Sequence, residues 1–268
     1  MTTILITADL HLDAWFREGR DPLANIAPVL SGLDALIIAG DLANNPVYYW
    51  PRALARIGRL IDPARVHVFP GNHDYWTHHL AGDDVLARIA ADAGARYVQK
   101  RAIDIGRFRF LCCTLWSDLN LTSDYNAAMY RAWMTMPDYA RIRRTANPVD
   151  GKIRPEDTVA VHRDHLAWLT RAMAEPWDGQ RIVVTHHAPS RAVAGSINGL
   201  SPAFASDLDA WIKANRPDAW YFGHTHRRLS AKVQGVPVIN VSLGYPDEVI
   251  DGMEAEGLLR GLFPSAHN

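Results

Sequence analysis

The chain has 268 residues, with 48% hydrophobic and 21% charged side chains and a formal net charge of −1. That is enough chain to bury one large α/β core or two small ones, and the near-neutral balance excludes a global field that would gather nucleic acid or an anionic membrane. No apolar run reaches the roughly eighteen residues of a membrane-spanning helix.

The first residues, "MTTILITADLH", run directly into a strand without a basic region or a long apolar stretch. No secretory signal is expected, and a cytoplasmic location is. Short apolar runs rich in β-branched residues then recur: "TILIT", "ALIIAG", "RVHVFP", "RFRFLCCTLW", "RIVVTH", "AWYFGH" and "VPVINVS". Each is bounded by turn residues or charges and reads as a strand buried on both faces. Helical patterns alternate with them: "PLANIAPVLSGL", "PVYYWPRALARIGRLI", "DDVLARIAADAGA", "HRDHLAWLTRAMAE" and "SDLDAWIKANRP". Strand and helix in alternation predict a layered α/β fold.

The middle of the chain breaks that rhythm. "AIDI" and "RFRFLCCTLW" flank Gly106 and predict a hairpin. Cys112 and Cys113 are adjacent, so on a strand they point to opposite faces and form no mutual disulfide. From about 117 to 157 the sequence is polar, irregular and aromatic, too long for a plain connection, and reads as an inserted lid or substrate-binding segment. The last stretch, "DGMEAEGLLRGLFPSAHN", predicts a peripheral helix and tail.

Twelve histidines are unusual, and their placement carries the functional reading. Five strands end in the same kind of residue. "DLH" gives Asp9 and His11; "GDLAN" gives Asp41; "GNHD" gives Asn72, His73 and Asp74; "HHAPS" gives His186 and His187; "GHTH" gives His224 and His226. Ligands of open α/β sheets sit beyond the carboxyl ends of the strands. Asp-x-His and His-x-His put two donors on one side of an extended segment. The glycines before Asp41, Asn72 and His224 let the backbone turn and bring the donors inward. Two Asp, one Asn and four His exceed what one tetrahedral ion takes. A mixed oxygen and nitrogen set without thiolate suits manganese, iron, zinc or nickel. The surplus points to two ions sharing a carboxylate, the arrangement used for phosphoryl hydrolysis at roughly 3.5–4 Å separation.

Taken in order, "DLH", "GDLAN", "GNHD", "THHAP" and "GHTH" resemble the signature of the calcineurin-like metallophosphoesterase superfamily, over most of the chain from Asp9 to His226. The resemblance implies a four-layer α/β/β/α sandwich of two mixed sheets flanked by helices, one domain spanning residues 1–268. It implies one metal on Asp9, His11, Asp41 and His226, a second on Asn72, His186 and His224, and Asp41 as the bridge, with manganese or iron favoured. His186 rather than His187 is the implied ligand, leaving His187 behind it or on the substrate side. His73, one residue past a ligand, is implied as transition-state stabiliser or proton donor, with Asp74 orienting it or capping the loop.

The implied activity is metal-dependent phosphoester hydrolysis by a metal-bound hydroxide, without a covalent enzyme intermediate. The Arg that protein phosphatases carry just after the second motif is missing from "GDLANNPVYY", and small-molecule phosphodiesterases, cyclic-nucleotide types included, are closer in spelling. A small-molecule phosphodiesterase is therefore expected, with a phosphomonoesterase or a catalytically silent metal-binding scaffold as the alternatives. The insertion offers Trp116, Tyr125, Tyr130, Trp133, Tyr139, Arg141, Arg143 and Arg144, which either meet an aromatic, anionic substrate or pack a satellite core. His78 and His79 are expected in a solvated loop; His67, His162, His165 and His267 are expected to be structural or exposed.

Overall fold

The computed structural model describes residues 2–263, so His267 lies outside the described residues. The strands among them are β1 (Ile4–Thr7), β2 (Ala35–Ala39), β3 (Val66–Phe69), β4 (Arg96–Tyr97), β5 (Arg101–Ile105), β6 (Phe108–Cys113), β7 (Gln180–Thr185), β8 (Ala219–Phe222), β9 (Ser230–Val233), β10 (Val236–Asn240) and β11 (Leu262–Phe263). The helices are α1 (Leu12–Arg17), α2 (Ala27–Ser31), α3 (Pro46–Ile57), α4 (Asp83–Asp92), α5 (Tyr125–Thr135), α6 (Asp138–Arg141), α7 (Pro155–Ala174), α8 (Asp209–Asn215) and α9 (Glu254–Leu258). None is long and apolar enough to cross a membrane.

Two mixed sheets form. One has the order β11-β1-β2-β3-β4, the other β5-β6-β7-β8-β10-β9. Parallel pairing runs from β1 to β4 and from β6 through β7 and β8 to β10; β11, β5 and β9 join antiparallel. Every strand predicted from sequence is present, and the β5–β6 hairpin turns at Gly106 with φ 60.

Alternation of side chains across each strand divides the core into three clusters, one for each interface between four layers. Ile4, Ile6, Ile37 and Phe69 of the first sheet meet Phe108, Phe110, Ile182, Val184 and Tyr221 of the second. Leu5, Leu36, Ile38 and Val68 face outward against Trp50, Leu54 and Leu86 of α3 and α4. Leu111, Val183, Trp220 and Phe222 face the other way, against Leu169, Met173 and Ile212 of α7 and α8. Cys112 and Cys113 fall in different clusters and are free, as opposite faces require. The architecture is the α/β/β/α sandwich.

Several segments depart from expectation. The helical pattern at 22–33 is broken by Pro28 into a 3-10 turn and the short α2. The 117–157 stretch is not wholly irregular: it holds α5, α6 and the first residues of α7, which begins at Pro155, with irregular chain between them. Leu119, Ala132, Tyr139, Ile142 and Ile153 from this stretch join the cluster beneath the first sheet. After α9 the chain adds β11 antiparallel to β1, with Ile4 opposite Phe263. His78 and His79 are buried, and the backbone between them and Arg143 is hydrogen-bonded, so they anchor the insertion and do not sit in a solvated loop.

Candidate metal centre

The loops that follow β1, β2, β3, β7 and β8 converge. Asp9 Oδ1 lies 3.3 Å from His226 Nε2, and His11 Nε2 is 3.1 Å from the same nitrogen and 3.8 Å from Asp41 Oδ2. His186 Nε2 is 3.4 Å from Asp41 Oδ2 and 3.0 Å from Asn72 Oδ1. Three overlapping groups, Asp9–His11–His226, His11–Asp41–His73 and Asp41–His186–His224, each bring their donor atoms within 4.8 Å of one another and could hold a metal ion. Asp41 stands in two of them. All seven residues read from the sequence as ligands, and His73 beside them, are therefore gathered into one place.

Backbone geometry explains how. Asp9, His11, Asp41, His224 and His226 all have positive φ, a region that residues other than glycine rarely occupy. Each loop turns sharply at the donor itself, which swings the side chain inward. Among the glycines, Gly40 has φ 87, as the turning role requires. Gly71 and Gly223 do not have positive φ and serve another purpose: a Cβ on Gly71 would collide with Asp41 Oδ1 and the His186 ring, and one on Gly223 would sit 2.5 Å from Asp9 Oδ2. These two leave room for donors arriving from other strands.

Electrostatics and unmet bonding both describe a site built for cations. Burial favours neutral His186 and His226, yet the carboxylates Asp41 and Asp9 overcome it and raise them to about 9 and about 10. Glu248 Oε2, 2.6 Å from His226 Nδ1, adds to the second effect. His11 Nδ1 and His224 Nε2 are buried without a hydrogen-bond partner. His11 Nε2 and His226 Nε2 face each other, and one hydrogen at most can lie between them. Buried anionic oxygens and lone-pair nitrogens turned on one another fit bound cations better than they fit one another.

Around this cluster, Asp74 is held by five donors: the backbone N–H groups of Asp41, Leu42, Ala43 and Gly71, and Trp50 Nε1. It ties the second and third loops together and makes no hydrogen bond to the His73 ring; of its two expected roles, loop bracing is the one present. Burial, reinforced by the nearby Asp41 charge, pushes its pKa up to about 7. His73 is oriented instead by Asn44, whose Oδ1 is 2.8 Å from His73 Nδ1. The Asn44 amide is fixed in turn because its Nδ2 donates to Asp13 Oδ2 at 3.0 Å. With a carbonyl oxygen as partner, His73 Nδ1 carries the hydrogen, leaving Nε2 free to act. The ring stacks on Trp76 at 3.6 Å between centroids, and Tyr245 OH lies 3.2 Å from Nδ1. His187 packs behind, against His224 at 4.1 Å and Trp116 at 5.1 Å.

Asn44, Tyr245 and Glu248 were not singled out in the sequence. Asn44 stands inside the quoted "GDLAN" and could have been found there; Tyr245 and Glu248 lie beyond the last motif in a segment without a pattern.

The family described as calcineurin-like phosphoesterase matches residues 2–228. Among solved structures, a phosphopantetheinyl hydrolase from Mycobacterium tuberculosis is similar, with 19% identity over 100% of this chain and 98% of that one, at a TM-score of 0.67. A protein from Thermus thermophilus aligns with 17% identity over 91% of this chain and 89% of that one, at a TM-score of 0.49. No curated protein gives a significant sequence match.

Proposed function

Since the chain belongs to the calcineurin-like phosphoesterase family and is a metal-dependent phosphoester hydrolase, we propose that its substrate is a small organic phosphodiester. In this reading Asp9, His11, Asp41 and His226 hold one cation, while Asn72, His186 and His224 hold the other with Asp41 shared. When bound, the two ions supply Lewis acidity toward the phosphoryl oxygens and lower the pKa of water. Manganese or iron suits the mixed oxygen and nitrogen donor set.

The observation that carries the diester reading is an organic surface on each side of the donors. On one side Phe204 stacks on His224 at 4.9 Å and walls a cavity of about 230 Å³ that also presents Ser196, Asn198, Leu200, Thr225 and Arg227. On the other side stands the half-buried Tyr245, its ring 6.3 Å from that of His73. A diester has two organic arms to place, and a monoester has one. The cavity mixes amide, hydroxyl and apolar groups with one guanidinium, so it suits a polar, flexible arm better than a flat apolar one.

His73 works through its free nitrogen. Burial holds its pKa below the ordinary histidine value, with Asp41 pulling the other way. A phosphate anion seated beside the ring favours the imidazolium, which then gives its Nε2 proton to the departing oxygen. Asn44 keeps the ring in the orientation this transfer needs. The cytoplasmic location expected from the sequence accords with a reducing compartment for the free Cys112 and Cys113.

The test is a substrate panel on metal-reconstituted protein, with metal content measured in each sample. It compares an aryl monoester, an aryl diester, a cyclic nucleotide and, after the name of the similar M. tuberculosis protein, a phosphopantetheinyl diester. We expect kcat/KM for at least one diester to exceed that for the monoester by tenfold or more. A monoester preferred over every diester overturns the proposal.

A further inference from the structure

α6 lies in the inserted segment, yet one of its side chains reaches the centre. Asp138 is 2% exposed, and its Oδ1 accepts hydrogen bonds from Asn72 Nδ2 at 2.8 Å and Trp76 Nε1 at 2.9 Å. The two donors are the amide of a candidate metal ligand and the indole on which His73 stacks.

The chemistry of each bond is directional. An amide has an oxygen end that can bind a metal and an NH2 end that cannot. An ionised carboxylate accepts only, so Asp138 can hold the NH2 end and no other. That leaves Asn72 Oδ1 turned to the centre, where it lies 3.0 Å from His186 Nε2. The bond to Trp76 sets a second group. With its N–H tied, the indole lies under His73 at 3.6 Å and 26° between planes, and Arg141, three residues along α6, covers it at 4.1 Å from guanidinium carbon to centroid. One short helix thus grips the indole by edge and face.

We infer that Asp138 is a positioning residue: it fixes the Asn72 amide with its oxygen toward the metals and seats the Trp76 ring against His73, so that the insertion is part of the centre it adjoins. This rests on the reading of the site proposed above. Nothing in the sequence near Asp138 marks it, since it stands 66 positions from Asn72 in an irregular stretch.

The experiment measures metal affinity by competition with a chromophoric chelator, alongside kcat and thermal midpoint, for wild type, Asp138→Ala and Asp138→Asn. Partners of metal ligands typically change affinity by about 10–100-fold when removed. Asp138→Ala should weaken the weaker of two Mn²⁺ dissociation constants by about that factor, and should lower kcat at saturating Mn²⁺. Asp138→Asn conserves volume and can still present a carbonyl oxygen, so it should recover part of both losses. Should Asp138→Ala fail to fold, the Asn variant decides alone: affinity weakened at an unchanged thermal midpoint supports the inference. Unchanged Mn²⁺ affinity in whichever variant folds, even with a lowered thermal midpoint, overturns it, because a merely structural carboxylate would give that result. Failure of the underlying reading looks different: wild type itself would bind fewer than two Mn²⁺ ions or hydrolyse no phosphoester.

Discussion

Individual residues at this centre are held in conformations they would not choose. Five of the donors have positive φ, a cost of order 1–3 kcal/mol each that persists only where surroundings over-determine it. Space is equally constrained, and Gly71 shows it best. Its missing Cβ is where Asp41 Oδ1 and the His186 imidazole pass. Gly71→Ala therefore has no flexible neighbour to displace. We expect loss of at least one metal and of most activity, while the fold persists because the outer helices and all three core clusters are untouched. Metal analysis together with a far-ultraviolet spectrum checks this; full metal content in a folded Gly71→Ala protein would contradict it. The donors themselves were legible in the sequence because each stands at the end of a strand in a recurring pattern. Asn44 stood within one of those motifs and could have been found, but Asp138, Tyr245 and Glu248 could not, since what makes them matter is a partner elsewhere along the chain: His73 is 172 positions from Tyr245 and Glu248 is 22 from His226.

At the level of elements, strands buried on both faces announced themselves by continuous apolar runs, and each was found as a strand, although β10, expected to be buried on both faces, leaves its Pro237 face exposed. β4 and β11 have two residues each, and β9 is a half-exposed edge strand reading "SAKV", so none offers enough periodicity to detect. The insertion misled for another reason. Its helices are short, α5 exposes Tyr130, Trp133 and Met134 while burying only small Ala128 and Ala132, and the burial that exists comes from tertiary contact with Trp116 and its cluster, not from pattern. Two elements also bury titratable groups away from the centre. His67 of β3 has Nδ1 unpartnered, and burial pushes its pKa down to about 4; His165 of α7 accepts from the Leu115 N–H, and burial pushes it down to about 3. Both bind a proton near pH 6.5 once unfolded. The unfolded state therefore holds more protons below that pH, and stability falls as pH drops from 6.5 toward the folded values. At pH 5 each histidine costs about 2 kcal/mol. Replacing one removes its share: His67→Gln should gain about that much relative to wild type on going from pH 7 to pH 5, read by urea unfolding. A constant difference between the two proteins at both pH values would show that His67 does not titrate as described.

The whole molecule is two sheets joined by one apolar interface and, at its rim, by the centre. Asp9, His11, Asp41, Asn72 and His73 follow strands of the first sheet; His186, His224 and His226 follow strands of the second. Cations held by both sets would cross-link the sheets, so metal binding and stability are one equilibrium. An ion at a hundred times its dissociation constant adds about 2.7 kcal/mol, and a chain of this size gains roughly 2–4 °C for each kcal/mol. Two ions thus predict a fall of roughly 10–20 °C in Tm on chelation. The size of that fall should depend on pH, in a direction the histidines fix. Without metal, His186 and His226 can carry protons against Asp41 and Asp9, their pKa values being raised to about 9 and about 10. A histidine raised in this way contributes stability fully below pH 6.5 and loses it as pH climbs through the folded value. Protons thus stand in for cations near pH 6, and nothing does so near pH 10. Chelation should therefore cost little at pH 6 and most above pH 9, measured by calorimetry with and without chelator. Asp41→Asn removes the shared carboxylate and should make Tm indifferent to chelator throughout. A wild-type Tm that does not respond to chelator at pH 9 would mean that the sheets are held by their apolar interface alone, and that the converging side chains carry no cation.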